Sequence, residues 1–156
     1  MADLDIRSVP YLDETAQSLV KRTLADLGER YGGGSGDDTP LDPAEFDPPG
    51  GDFLVGYLDG EPVACAGWRS HGDDGQIAEL KRMYTGPEAR GRGVARAMLA
   101  AVEESARRGG RRRLILECGS KQPEAVALYE SSGYVRIPDF GYYRQYAGVR
   151  SYGRDL

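Results

Sequence analysis

Leu4-Asp5-Ile6-Arg7-Ser8-Val9 alternates apolar and polar side chains, a period of two that predicts a strand, and Pro10 ends it. Asp13 can cap a helix opening near Glu14. Ala16, Val20, Leu24, Leu27 and Tyr31 then recur at helical spacing. Gly32-Gly33-Gly34-Ser35-Gly36 stops that helix and predicts a mobile loop. It is not a domain linker, because the roughly 30 residues before it are too few to fold alone. Residues 37–50 are acidic and Pro-rich, with room for at most a short helical turn.

Phe53–Leu58 and Pro62–Trp68 read as two strands of a hairpin, joined through Asp59-Gly60, a pair that accepts the positive φ of a tight turn. A third strand is expected from about Gln76 to Thr85. Gly86-Pro87-Glu88 turns the chain into a long helix, with Val94, Ala97, Met98, Ala101, Val102 and Ser105 on one stripe. Arg107 and Arg108 suit its negative end, and Gly109-Gly110 terminate it. Arg113–Cys118 reads as a buried strand, Pro123 opens a further helix that ends at Gly133, and Tyr134–Ile137 and Val149–Tyr152 are the final strands. Hairpins first and a βαβ crossover later predict a mixed α/β (α+β) fold: one central, mostly antiparallel sheet flanked by helices, in a single domain over residues 1–156.

Charge adds a division within the chain. Twenty Lys+Arg against 25 Asp+Glu give a formal charge of -5, which argues against a nucleic-acid binder. Residues 37–47 hold Asp37, Asp38, Asp42, Glu45 and Asp47, whereas residues 81–113 hold ten Lys and Arg side chains, from Lys81 and Arg82 to Arg113. The basic stretch can receive a phosphorylated ligand or be a solvated face. The N-terminus lacks a basic region followed by an apolar run, and no stretch approaches the ~20 apolar residues of a membrane span. Cys65 and Cys118 lie in apolar runs, as small buried hydrophobes do, and suit a reducing compartment. The expectation is a cytoplasmic protein with no membrane partner. His71 stands alone in a polar loop and no Cys/His ligand spacing exists, so no metal site is expected.

The stretch richest in chemistry is Arg90-Gly91-Arg92-Gly93-Val94-Ala95, set between a strand and an amphipathic helix. Its glycines let a ligand approach the backbone, and the first N–H groups of the helix have no intrahelical partner. Such a turn holds phosphate oxygens, with Arg90, Arg92 and Arg96 adding charge. It is not a Walker loop, which needs G-x-x-x-x-G-K-[ST], nor a Rossmann turn, because Arg96 stands where a third Gly or Ala belongs.

Here the chain resembles the GNAT superfamily of acyl-CoA-dependent N-acyltransferases. Arg90, Gly93 and Ala95 match that family's [QR]-x-x-G-x-[GA] turn. Gln122 to Tyr134 resembles N-x-x-A-x-x-L-Y-x-x-x-G-[FY], with Gln122 replacing the leading Asn. The resemblance runs from about Phe53 to Tyr134. It implies a GNAT-like domain whose βαβ unit binds acetyl-CoA, with the diphosphate on main-chain amides from Gly91 through Arg92, Gly93, Val94 and Ala95 to Arg96. It implies that the pantetheine arm pairs like an added strand with Met83, Tyr84 and Thr85, and that Gln122, standing where the family has Asn, sits near this arm.

The implied reaction moves an acetyl group to a primary amine of a small molecule or peptide. It needs a base, a stabilised oxyanion and a proton for the departing thiolate. Glu79, on the strand before the turn, is the candidate base; Glu117 on the next strand is its competitor, as base or as a site for a cationic acceptor, and a water chain is a third solution. Tyr129, at the family's Tyr position, is the candidate acid. Tyr142, Tyr143 and Tyr146 fall in a late loop that walls the acceptor site in GNAT proteins, so Tyr142 and Tyr143 join Glu117 as candidate substrate contacts. A homodimer is compatible with this reading. The alternative is a non-catalytic acyl-CoA-binding or sensor module of the same fold.

Overall fold

The computed structural model describes residues 3–156; the expected domain start at residue 1 lies outside the described residues. The period-two segment forms β1 (Leu4–Ser8). Helix α1 (Glu14–Arg30) begins where Asp13 accepts hydrogen bonds from the Thr15 and Ala16 amides at 3.0 and 3.3 Å. In the acidic stretch Pro43–Phe46 forms a 3-10 helix closed by a capping box of Asp42 and Glu45. Strands β2 (Gly51–Leu58) and β3 (Glu61–His71) meet through Asp59 and Gly60, both at positive φ. Then come β4 (Ile77–Thr85), α2 (Val94–Arg108), β5 (Arg113–Gly119), α3 (Pro123–Ser131), β6 (Val135–Arg136) and β7 (Val149–Asp155).

The element order is as expected; the ends differ. β2 starts two residues earlier than the apolar run, because Gly51 slips between the carbonyls of Glu45 and Trp68, which a Cβ would meet at 2.0 and 2.7 Å. β3 continues past Trp68 to His71, which pairs with Ile77. β7 extends through Gly153, Arg154 and Asp155, a polar stretch with no strand signal of its own, because β5 offers it partners from Arg113 to Gly119. β6 keeps only two residues.

The described strands form one sheet in the order β1-β2-β3-β4-β5-β7-β6, and β4–β5 is the parallel pair in it. Alternation assigns the two faces. Leu54, Ala78, Leu80, Leu114 and Leu116 join Met98, Leu99 and Val102 of α2, with Tyr129, Tyr134 and Tyr152, in one core cluster. Phe53, Val55 and Cys65 join Tyr11, Leu19, Val20 and Phe46 in the other, under α1. By the same parity Glu79 and Lys81 of β4, and Glu117 of β5, belong to the α1 face.

Two departures from regularity shape the middle of the sheet. Parallel pairing of β4 with β5 stops after Ile77–Glu79 against Arg113–Ile115, and beyond it the strands separate. β4 also carries a bulge: Cys65 pairs with Tyr84 but Gly67 with Lys81, so two steps on β3 face three on β4, and Arg82 takes φ +59°.

Candidate active site

Where β4 and β5 separate they leave a cavity of about 450 Å³. Its inner wall is Leu80, Met83, Leu116, Cys118 and Tyr129. Its outer wall combines Lys81, Arg82 and Glu117 with the glycine loop from Gly33 to Asp38 and with Tyr143, Tyr146 and Gly148 of the late loop.

Glu117 is half-buried and opens on this space. Burial pushes its carboxyl above the usual range; Lys81 and the Tyr143 amide, 3.2 Å away, work against that, while Glu79 and Asp37 add to it. Glu79, the expected base, is buried but does not line the cavity: its Oε1 accepts from Arg69 Nε at 3.1 Å. Arg69 is held in turn by Glu45 and the Pro40 carbonyl. Tyr129 lies on the inner wall, 5% exposed, with its hydroxyl 3.7 Å from Met83 Sδ. Burial raises its phenol well above the ordinary tyrosine range, so it keeps its proton.

Asp37 gathers the outer wall. Its carboxylate accepts from Lys81 Nζ at 3.3 Å, from Arg82 Nη1, from the Thr39 amide and hydroxyl at 3.0 and 2.6 Å, and from Tyr143 Oη at 3.1 Å. Burial opposes ionisation there, yet Lys81, the Thr39 donors and Arg82 hold the acid far below its usual range. Tyr143 Oη also accepts from the Asp38 amide at 2.6 Å. One phenol thus ties the glycine loop to the late loop. The loop read as mobile is anchored: Gly33 N donates to Gly28 O at 2.6 Å, and Gly36, at φ +91°, lies against Leu24 of α1. A Cβ on Gly36 would meet the Leu24 carbonyl oxygen at 2.2 Å. Gly36→Ala is therefore expected to lift Asp37 out of place and raise KM for the acceptor by roughly tenfold or more, with a smaller change in KM for the acyl donor; equal KM values in steady-state assays refute this.

The Gly-rich turn lies beyond Thr85, outside the cavity wall. Gly91 and Gly93 have φ of +74° and +79°, and a Cβ on either would meet nothing within 4 Å. Gly93 caps α2 with no side-chain bond, so the first amides of the helix stay free. Val94 is buried, and Ala95 follows in the helix. Arg90 Nε donates to the Thr85 carbonyl at 2.9 Å, and its guanidinium lies over Tyr84. Arg92 is exposed. Arg96 reaches Ser131 and Ser132 at the end of α3. Met83 lines the cavity, but Tyr84 packs towards α1 and Thr85 does not reach the wall. Gln122 lines it, its Oε1 accepting from Tyr31 Oη and the Gly119 amide, both at 3.2 Å. Of the aromatic trio, Tyr143 and Tyr146 line the cavity; Tyr142 does not and is 44% exposed.

Residues 19–134 match a family model described as "Acetyltransferase (GNAT) family". The chain belongs to the GNAT acetyltransferase family. Among GNAT relatives, an IAA acetyltransferase of Azospirillum brasilense is 37% identical over 91 residues, 58% of this chain. That match spans 59% of the relative's own length. A Klebsiella pneumoniae structure, suggested to be an acyl-CoA N-acyltransferase, superposes with TM-score 0.81 at 27% identity, covering 98% of this chain and 97% of that one. Salmonella typhimurium yncA, solved with its cofactor acetyl-CoA, shares the GNAT fold at TM-score 0.67 and 18% identity, over 98% and 94% of the two chains.

Asp37, Lys81 and Arg82 are the wall residues that sequence reasoning missed as a group. Each stood in a charge run that reads as solvated surface. The available signal was a pair of adjacent cations inside an otherwise apolar strand, Leu80-Lys81-Arg82-Met83.

Proposed function

We propose that this protein is an N-acetyltransferase that moves an acetyl group from acetyl-CoA to a primary amine by direct attack. One observation carries the reading: the separation of β4 from β5 leaves the main chain of β4 after Glu79 without a strand partner on that side among the described residues, facing a phenol and a carboxylate across one cavity.

The residues fit the cosubstrate. The open amides after Gly93, with Arg90 and Arg92 beside them, suit a diphosphate. The unpaired edge of β4 suits an amide-bearing arm laid beside it as a strand. Acetyl-CoA supplies a thioester whose acyl carbon the amine attacks. The N–C bond forms and the C–S bond breaks. Glu117 takes the proton the amine must lose, since it opens on the cavity and has its affinity for a proton raised. Glu79, held by Arg69, acts on Glu117 through its charge. Main-chain N–H groups near the β4 bulge serve the oxyanion, and Tyr129 offers its O–H to the departing sulfur.

The proposal extends to residues 1–156 as one N-acetyltransferase domain in the cytoplasm. Cys65 and Cys118 are both unpaired, and no helix among the described residues is long and apolar enough to cross a membrane.

Thiol release from acetyl-CoA in the presence of amines tests the reading. Turnover that needs both supports it. Binding of acetyl-CoA without turnover of any amine refutes it in favour of a binding module. Tyr129→Phe is expected to lower kcat by roughly tenfold or more while leaving KM for acetyl-CoA within about twofold; an unchanged kcat removes the acid role.

A further inference from the structure

We propose that the acceptor is an α-amino acid, its carboxylate received by Lys81 and Arg82 and its amine by Glu117. This rests on the acetyl-transfer reading and deepens it.

The argument begins with the bulge. Consecutive side chains on a regular strand point to opposite faces. Lys81 and Arg82 nevertheless reach the same oxygen, Oδ2 of Asp37. Positive φ at Arg82 undoes the alternation, a conformation that a non-glycine residue adopts only at a cost. The strand therefore departs from regularity at the point where it brings two cations to one corner of the cavity.

That corner sets two cations against one directly bonded carboxylate. The Lys81 and Arg82 side chains are 9% and 6% exposed, and Asp37 is the ion-pair partner of both. The two buried cations share that one carboxylate, while Glu117 acts on Lys81 through its charge and not through a direct contact, so cationic donors are left for an anionic group on a ligand. Donors are also unspent. Among the described residues the Lys81 ammonium, with three N–H groups, has one acceptor, at 3.3 Å, and the buried Arg82 Nε has none. The other acids on the wall do not fill the need. Asp38 is exposed and bonded to Ser35, and Glu117 accepts from the Tyr143 amide without an ion pair to either cation.

Glu117 then supplies the opposite requirement, a carboxylate facing the same cavity from β5. A positive corner on one strand and a negative group on the other match a molecule that carries both charges on a short frame. Arg69 does not compete for the carboxylate, since Glu79, Glu45 and the Pro40 carbonyl already engage it.

The test compares matched acceptors in thiol-release assays: the standard L-amino acids, the amine left by removing each carboxyl group, and the corresponding amides. At least one amino acid is expected to exceed both of its counterparts that lack the carboxylate by roughly tenfold or more in kcat/KM, the size expected of a charge-assisted hydrogen bond. In Lys81→Met that advantage is expected to fall to about threefold or less through KM, and Lys81→Arg, which keeps the charge, is expected to restore most of it. Amines or amides turned over as well as the acids overturn the proposal in the native protein, whatever the variants do. Turnover of none of the panel, with acetyl-CoA bound in calorimetry, overturns it as well. Absence of acetyl-CoA binding removes the underlying reading and this one with it.

Discussion

Glu117→Gln is expected to lower kcat by roughly 10²- to 10⁴-fold at neutral pH, the range a positioned base contributes. The amide keeps the size and a hydrogen-bond acceptor for the Tyr143 amide, so acetyl-CoA affinity is expected to hold. The pH profile is the sharper readout. Burial raises Glu117 above the usual carboxylate range, with Lys81 and the Tyr143 N–H opposing and the charges of Glu79 and Asp37 assisting. A base works in its ionised form, so kcat/KM in the native protein climbs as pH rises through that elevated value and is lost below it. In Glu117→Gln that acidic limb is absent. Glu79→Gln gives the contrast: it removes a negative charge that helps raise Glu117, so the limb moves to lower pH and the loss of rate is smaller. If Glu79→Gln abolishes turnover and Glu117→Gln does not, the base stands on β4 and Glu117 is not the proton acceptor.

Trp68→Ala is expected to destabilise the fold by about 3–5 kcal/mol, a large part of the roughly 5–15 kcal/mol typical of a domain. The indole is 1% exposed in the cluster between the sheet and α2. Gly109, at the end of α2, packs so closely that a Cβ there would meet the ring at 2.8 Å, and Arg111 covers it from 5.3 Å. The Trp68 Nε1–H donates to Ser105 Oγ at 2.9 Å, and Ser105 donates to the buried Asp52 at 2.7 Å. Truncation opens a cavity and leaves this chain short of a donor. Trp68→Phe keeps most of the volume and loses only the N–H, so it is expected to cost about 1–3 kcal/mol. Urea unfolding of both variants checks the order; a loss below about 1 kcal/mol for Trp68→Ala contradicts it.

Trp68 also marks how far the fold is legible in the primary structure. Its place in the core follows from the apolar run around it, and the helical stripe of Val94, Met98 and Val102 is the buried face of α2. These are local periodicities, set by neighbours within a turn or a pleat. The strand ends are not. β7 gains Gly153 to Asp155 from pairing with β5, a partner more than 30 residues away in the chain. The site divides in the same manner. The glycine turn and Tyr129, which lines the cavity, sit in short motifs that stand out in the primary structure. The meeting of Asp37 with Lys81 and Arg82 joins residues 44 and 45 positions apart through a loop whose path no local pattern dictates. The proposal of Glu117 over Glu79 as base rests on Arg69, on a third strand, which engages Glu79.

Because β4 and β5 share a ladder of only three residue pairs, the sheet behaves as two plates, β1 to β4 and β5 with β7 and β6, held at one narrow seam. An occupant that touches both plates works as mortar between them. Loading the gap at about a hundred times the dissociation constant is worth roughly 2.7 kcal/mol to the folded state, and that gain is shared by both plates. Amide exchange should slow together on Lys81 to Thr85 and on Leu116 to Gly119, two segments that never pair with each other.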